Sequence, residues 1–111
     1  MNDREWLRSR RPLPPPKLFE RVELAVTSLT HESTMSRSET LATAAVSILA
    51  PLVGPNAPDV SRSREVAIDL LSVDALVTYA IEAATEECEA FQQNIGRVIA
   101  RLASLARAGK V

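Results

Sequence analysis

Few residues in this sequence could do chemistry, and none of them stands in a spacing that an active site requires. His31 is the single histidine and Cys88 the single cysteine. A metal site needs several converging His, Cys or carboxylate ligands, and the neighbouring Glu32 alone cannot supply them. A nucleophilic cysteine needs a lowered pKa and an accessible base, but the neighbours of Cys88 are carboxylates. We therefore expect His31 to be exposed at a helix end and Cys88 to fill the core.

Charged side chains recur along the last third of the chain, with the acids first and the bases later. They include Glu82, Glu86, Glu89, Arg97, Arg101 and Arg107. A catalytic carboxylate pair or a di-iron site is one use for them, but there is no Glu-x-x-His motif and no second inward carboxylate set. A solvated face that follows the helix dipole explains the order. The same order favours antiparallel pairing with a second copy, so a homodimer is one predicted partner.

The motifs of common enzyme classes are absent from the sequence. There is no phosphate-binding glycine loop, no Ser-His-Asp set and no CxxC pair. We predict a protein without enzymatic activity, cofactor, metal or small-molecule substrate. A single cysteine fits a reducing compartment such as the cytoplasm, and no apolar signal segment follows the N-terminus. The longest uncharged run has an apolar part of about thirteen residues, short of the roughly twenty that span a bilayer, so we expect a soluble or peripheral protein.

The N-terminal segment holds the strongest partner signal. Residues 1–16 are rich in arginine and proline, whereas the rest of the chain is mildly acidic. Clustered prolines favour polyproline II and prevent a helix from continuing. We predict an extended basic arm at 1–16, outside a single helical domain at 17–111, that binds a partner through Trp6, Leu7, Arg8, Arg10, Arg11, Pro14 and Pro15. The alternative is that Trp6 folds the segment back onto the helices.

Apolar residues that recur every three or four positions predict an all-α fold. Pro16 suits the first turn of a helix, Ser36 with Glu39 forms a capping box, and Pro51 kinks or ends a helix. The helix lengths suit a small antiparallel four-helix bundle. The predicted helices span residues 16–31, 37–51, 62–84 and 87–108.

One apolar stripe organises the C-terminal half of the chain. Its members are Val66, Leu70, Val73, Val77, Ala80, Ala84, Cys88, Phe91, Ile95, Val98, Leu102 and Leu105. A single helix over this half would be about 70 Å long, more than a compact domain of this size is wide. We predict a break at Thr85, where an N-cap residue precedes two acids. The alternative is three helices with one very long C-terminal helix, which would favour oligomeric assembly. Tyr79 lies at the flank of the stripe, where it either covers the core edge or forms a contact surface.

These patterns predict a non-enzymatic interaction or assembly subunit that docks on a larger protein complex through its arm and helix faces. Docking at the cytoplasmic face of a membrane complex is a variant, because arginines would meet anionic lipid there. The alternative function is a nucleic-acid-linked regulator that places Arg8, Arg10 and Arg11 on phosphates. The acidic body and the lack of a basic recognition helix argue against nucleic acid as a partner.

Overall fold

A single long C-terminal helix carries the other elements of the fold. The computed structural model describes residues 1–29, 34–55, 57 and 64–109, and all regular secondary structure in these ranges is helical. The all-α prediction is therefore confirmed. The helices are α1 (Asp3–Arg8), α2 (Pro16–Thr27), α3 (Arg37–Leu49) and α4 (Arg64–Ala108), and a 3-10 turn (Ala50–Leu52) follows α3.

Local sequence signals set the ends of α2 and α3. Pro16 is the first residue of α2, where its missing N–H has no helical partner to lose. Ser36 is the N-cap of α3, and its hydroxyl accepts a hydrogen bond from the backbone N–H of Glu39. At the other end, Pro51 lies in the 3-10 turn that ends α3. The predicted starts of α2 and α3 are confirmed, whereas α2 ends at Thr27 and α3 at Leu49, before the predicted residues 31 and 51.

The fourth helix is continuous over 45 residues, so the break predicted at Thr85 is wrong. The Thr85 hydroxyl donates to the carbonyl of Ile81 one turn earlier, a bond that threonine makes inside helices. Glu86 and Glu87, which resembled the first turn of a new helix, instead bind groups from the N-terminal segment and α3. The chain therefore follows the alternative of one very long C-terminal helix, with α1 as an additional short helix.

The core lies where α1, α2 and α3 contact the N-terminal half of α4. Aliphatic side chains and the two aromatic residues Trp6 and Tyr79 make up most of it. Leu41, Ala45, Ile48 and Leu52, which share one face of α3 and its 3-10 turn, are buried, and α2 buries Val22, Ala25 and Val26. The buried residues are Trp6, Leu7, Val22, Ala25, Val26, Leu41, Ala44, Ala45, Ile48, Leu52, Val66, Leu76, Tyr79 and Ala83.

The buried face of α4 is not the face that the apolar stripe predicted. Val66, near the start of α4, is the one residue of the predicted stripe that is buried. From there on the buried face is formed by Ser72, Leu76, Tyr79 and Ala83, each one position away from a residue of the predicted stripe. A shift of one residue turns a helix face by about 100°. The helix therefore has two apolar faces, and the described elements cover only one of them.

The chain is elongated rather than compact. It measures 75 × 30 × 23 Å with a radius of gyration of 19.7 Å, whereas a compact domain of this length has a radius near 13 Å. The difference comes from residues 88–108 of α4, which extend beyond the other helices and are exposed throughout. His31 and the three candidate N-caps before α4, at Asp59, Ser61 and Ser63, lie outside the described residues.

Candidate functional site

The predicted arm is folded onto the helices, because its first residues form α1. The Asn2 side chain accepts from the Glu5 N–H while the Glu5 carboxylate accepts from the Asn2 N–H, a capping box that starts the helix. Trp6 and Leu7 are then buried, with exposed fractions of 2 % and 0 %. The expectation of an extended arm is wrong for Asp3–Arg8, and these two side chains contact the protein's own core.

Trp6 is held by polar groups around a buried ring. Its indole N–H donates to the Glu86 carboxylate at 2.8 Å, and the ring meets Tyr79 edge-on at 6.2 Å between centroids. The Arg10 guanidinium lies 4.0 Å above the ring and pairs with Glu86 at 2.9 Å. The hydrogen bond from Trp6 and the charge of Arg10 lower the pKa of the Glu86 carboxyl, while burial raises the pKa of the Tyr79 hydroxyl. This cluster fixes α1 to the middle of α4.

The arginines predicted to contact a partner are bound within the chain. Arg8 and Arg4 pair with Glu23 of α2, and the hydrogen bond from Arg8 lowers the pKa of that carboxyl. Arg10 pairs with Glu82 as well as with Glu86. The Arg11 guanidinium donates to two backbone carbonyls of its own segment. Pairing in this way neutralises much of the charge that a nucleic-acid arm would present.

Of the two prolines predicted to bind a partner, Pro15 is exposed and Pro14 is half-buried. Pro15 is the N-cap of α2, with φ −54° and ψ 147°, values close to polyproline II. The structure therefore separates the predicted partner-binding set. Trp6, Leu7, Arg8 and Arg10 brace the fold, while the proline segment faces solvent in part.

The C-terminal half of α4 presents a bare apolar face, which we call the α4 stripe. The stripe is formed by Cys88, Phe91, Ile95, Val98, Leu102 and Leu105. Its five large side chains are between 41 % and 63 % exposed. Cys88 is also exposed, so its predicted place in the core is wrong, because no described element covers this face. The predicted stripe exists as an apolar face, but the described part of the chain leaves it in solvent.

A second bare apolar surface adjoins the stripe where α3 lies along α4. We call it the α3–α4 groove, and its volume is about 520 Å³. Apolar side chains dominate it on both sides, and Val46 and Ile81 are each more than 60 % exposed. The stripe and the groove follow one another along α4 without an intervening charged side chain on that face. The apolar residues that define the groove are Ala42, Val46, Leu49, Val77, Ile81 and Ala84.

Sequence reasoning missed the groove because it assigned Val46 and Leu49 to no face. Both are large apolar residues on α3 outside its buried face, and this excess of apolar residues was the available signal. The contact of Glu87 with α3 was missed because the residue was interpreted as an acid in the first turn of a new helix. Its carboxylate accepts from the Ser38 N–H at 3.0 Å and from the Ser38 hydroxyl at 2.6 Å. This contact fixes the start of α3 beside the point where the α4 stripe begins.

Searches for other kinds of site gave negative results over the part of the chain that the structure describes. No group of three or more His, Cys, Asp or Glu side chains there is placed to hold a metal ion. No helix among the same residues is both long and apolar enough to cross a bilayer. Comparison with protein-family models, with curated proteins and with solved structures found no match. The α4 stripe and the α3–α4 groove therefore form the candidate site.

Proposed function

We propose that this protein is a non-enzymatic assembly subunit that binds a helical partner along the α4 stripe. The supporting observation is the exposure of five large apolar side chains on one face of a helix that the described chain leaves unpaired. Fully burying a Val, Leu, Ile or Phe side chain contributes about 1.5–3 kcal/mol. A partner helix that buries these side chains would therefore gain favourable binding free energy from them.

The sequence predicted a docking surface on the N-terminal arm, whereas we propose one on α4. Trp6 and Leu7 are buried in the chain's own core, and Arg8 and Arg10 are in ion pairs with its own carboxylates. We propose that the N-terminal segment packs on the first half of α4 and stabilises it, while the second half stays exposed and can bind a partner. Of the three arginines on which the nucleic-acid alternative depends, Arg8 and Arg10 are thus already paired with carboxylates of the chain, which disfavours that alternative.

The finer features predicted from the sequence remain part of this proposal. We expect α2, α3 and the first half of α4 to form an antiparallel bundle, and the contact of Ser38 with Glu87 supports opposite directions for α3 and α4. A cytoplasmic location, with or without docking on a membrane complex, is supported by the lone thiol of Cys88.

The size of the native complex in cell extract tests the proposed function. A tagged full-length chain is compared with Leu102→Glu, which places a charge in the stripe. Ala100→Glu is the control, since it adds the same charge about 160° away on the helix. We expect the wild type and Ala100→Glu to elute well above the monomer mass and Leu102→Glu to elute as a monomer.

Both positions are exposed in the single chain, so neither substitution disturbs the core. Helical content from circular dichroism is expected to match the wild type for both variants. A Leu102→Glu chain that keeps the wild-type elution volume would contradict the proposed function.

A further inference from the structure

We propose that the partner on the α4 stripe is a second copy of this chain, paired antiparallel, with the C-terminal end of each α4 seated in the α3–α4 groove of the other. The inference rests on the proposed function, because it names the occupant of the same surface. Three observations carry it: the period of the apolar residues, the charges beside them, and the position of the groove.

The apolar period from residue 77 onward is that of a helix pair. The positions alternate in steps of four and three without a slip, a seven-residue repeat that keeps one narrow seam along a helix. The repeat continues for about 42 Å of helix, far beyond the elements that pack on α4. A seam of this kind suits a second helix of similar length. Its members are Val77, Ile81, Ala84, Cys88, Phe91, Ile95, Val98, Leu102 and Leu105.

The charges along one edge of the seam favour the antiparallel direction. Glu87, Asn94 and Arg101 follow one another at intervals of seven residues and share the same flank of the helix. In an antiparallel pair, this flank of one helix meets the same flank of the other. The dimer therefore contains two contacts between Glu87 and the partner's Arg101, and the two Asn94 side chains meet between them. A parallel pair places these residues opposite the uncharged Gln92 and Ala106 instead. The Glu87 carboxylate, which already accepts from Ser38, keeps acceptor sites for a guanidinium.

The register fixed by these charges also places apolar side chains against apolar side chains along the whole seam. Phe91 lies against the partner's Ile95, and Cys88 lies against the partner's Val98. Toward each end, Ala84 meets the partner's Leu102, and Ile81 meets the partner's Leu105.

The α3–α4 groove gives the ends of the partner helix a place to pack. Ile81 and Ala84 line the groove together with Val46 and Leu49 of α3. In the antiparallel register, the last two turns of the partner's α4 reach this point. A helix cannot fold back on itself, and residue 102 lies about 30 Å along α4 from the groove of its own chain. Only a second chain brings its Leu102 there, and a parallel pair would leave both grooves empty.

The native cysteine makes the orientation testable by disulfide trapping. Antiparallel pairing places Cys88 beside the partner's residue 98 and about 15 Å along the axis from the partner's Cys88. Parallel pairing places the two Cys88 residues side by side. A disulfide forms only when the two Cα atoms approach within about 7 Å.

The experiment oxidises the purified full-length chain under mild conditions and resolves the products on a non-reducing gel. We expect Val98→Cys to convert more than about half of the protein to a covalent dimer, and the wild type to give less than about a tenth. The double variant Cys88→Ala with Val98→Cys is the control and is expected to give no dimer. Sedimentation equilibrium of the wild type is expected to give twice the chain mass of 12.1 kDa.

Three results would overturn the inference. Efficient dimer formation by the wild type would indicate parallel pairing. A chain that sediments as a dimer while Val98→Cys does not cross-link would have another register. A chain that sediments as a monomer at about 100 µM has no self-pairing of functional strength. In the last case only the inference of self-pairing fails. The elution of Leu102→Glu from cell extract would still test the proposed function, with another protein as the partner.

The groove is tested by a charge on α3, away from the stripe. Val46→Glu places a carboxylate in the groove, and Ser47→Glu places one on the neighbouring exposed face of the same helix. We expect Val46→Glu to weaken the dimer at least about tenfold in sedimentation equilibrium and Ser47→Glu to change its dissociation constant less than about twofold. Equal effects of the two substitutions would show that the groove is not part of the dimer interface.

Discussion

The two halves of α4 carry similar apolar repeats but have different surroundings. In the first half, α1, α2 and α3 pack on a face centred on Leu76, Tyr79 and Ala83. In the second half, every residue from 88 to 108 is exposed. The first half is part of a folded core, whereas no described element packs on the second half. Most of the stability of a helix in a protein comes from tertiary packing of its apolar face, and the described elements give the second half no such packing.

The boundary between the two halves is set by tertiary contacts rather than by a helix end. Glu82, Glu86 and Glu87 bind groups of the N-terminal segment and α3. After Glu87 no described element reaches α4. The lesson is that one unbroken helix serves two purposes, since its first half holds the fold together and its second half presents a surface.

Removing the anchor of the covered half is expected to have the largest effect. Trp6→Ala opens a cavity in the core and takes the indole N–H from Glu86, so we expect a loss of about 3–5 kcal/mol in unfolding free energy. The bare half offers the matched variant, Phe91→Ala, which is expected to change the stability of the monomer by less than about 0.5 kcal/mol.

Chemical denaturation at a protein concentration low enough to keep the chain monomeric measures both variants. A Phe91→Ala loss as large as that of Trp6→Ala would abolish the distinction between the two halves. At high protein concentration, Phe91→Ala is expected to remove the concentration dependence of the wild-type midpoint.

Local signals in the sequence predicted the fold class and several helix ends because they act within one turn. Pro16 and Ser36 start helices through backbone groups beside them. The break at Thr85 was wrong because the acids after it resemble a helix start, while their partners, Trp6 and Ser38, are far away in sequence. A capping pattern does not show whether a carboxylate serves its own helix or another one.

The candidate site was predictable in part. The apolar period predicted the stripe, but periodicity alone does not tell a covered stripe from a bare one. The core prediction for Cys88 was wrong for this reason. Antiparallel pairing, which the charge order favours, stays a prediction. The arm prediction was wrong for Trp6 because the capping box of Asn2 and Glu5 was overlooked among the arginines and prolines.

A charge reversal on the bare half tests the direction of pairing. Arg101→Glu sets a second carboxylate opposite the Glu87 carboxylate of the partner, and Arg107→Glu, on the outer face of the same helix, is the control. We expect Arg101→Glu to weaken the dimer about tenfold, equivalent to about 1.4 kcal/mol, and the effect to shrink in high salt. Sedimentation equilibrium at two salt concentrations measures it. Equal changes in the dissociation constants of the two variants would contradict the proposed contact between Glu87 and the partner's Arg101.

The helical stability of the bare half can be raised without touching its apolar face. Gly96 lies in the middle of this half, and a Cβ atom added there meets nothing within 4 Å. Gly96→Ala is therefore expected to stabilise the local helix by about 0.5–1 kcal/mol. Amide hydrogen exchange over residues 88–108 of the monomer should slow by a few-fold, while exchange in α3 stays unchanged. Faster exchange in the variant would mean that the glycine serves a contact.

Acid is expected to lower the stability of the covered half slightly, through protonation of the Glu86 carboxylate. The hydrogen bond from Trp6 and the charge of Arg10 lower the pKa of this carboxyl in the folded chain. The unfolded state then binds more protons at acidic pH, so the stabilisation is present above about pH 4.3 and is lost as the pH falls through the folded pKa. Glu86 is 45 % exposed in its side chain, and solvent screening limits its contribution to a few tenths of a kcal/mol, on the order of 0.5.

The matched pair for this pH test is Glu86→Gln on the covered half and Glu89→Gln on the bare half. Urea unfolding of the monomer at pH 7 and at pH 4 is expected to show a smaller acid-induced loss for Glu86→Gln than for the wild type. Glu89→Gln is expected to follow the wild type, because no described residue binds its carboxylate. Identical pH responses of all three chains would mean that the cluster around Trp6 holds α1 on α4 by packing alone.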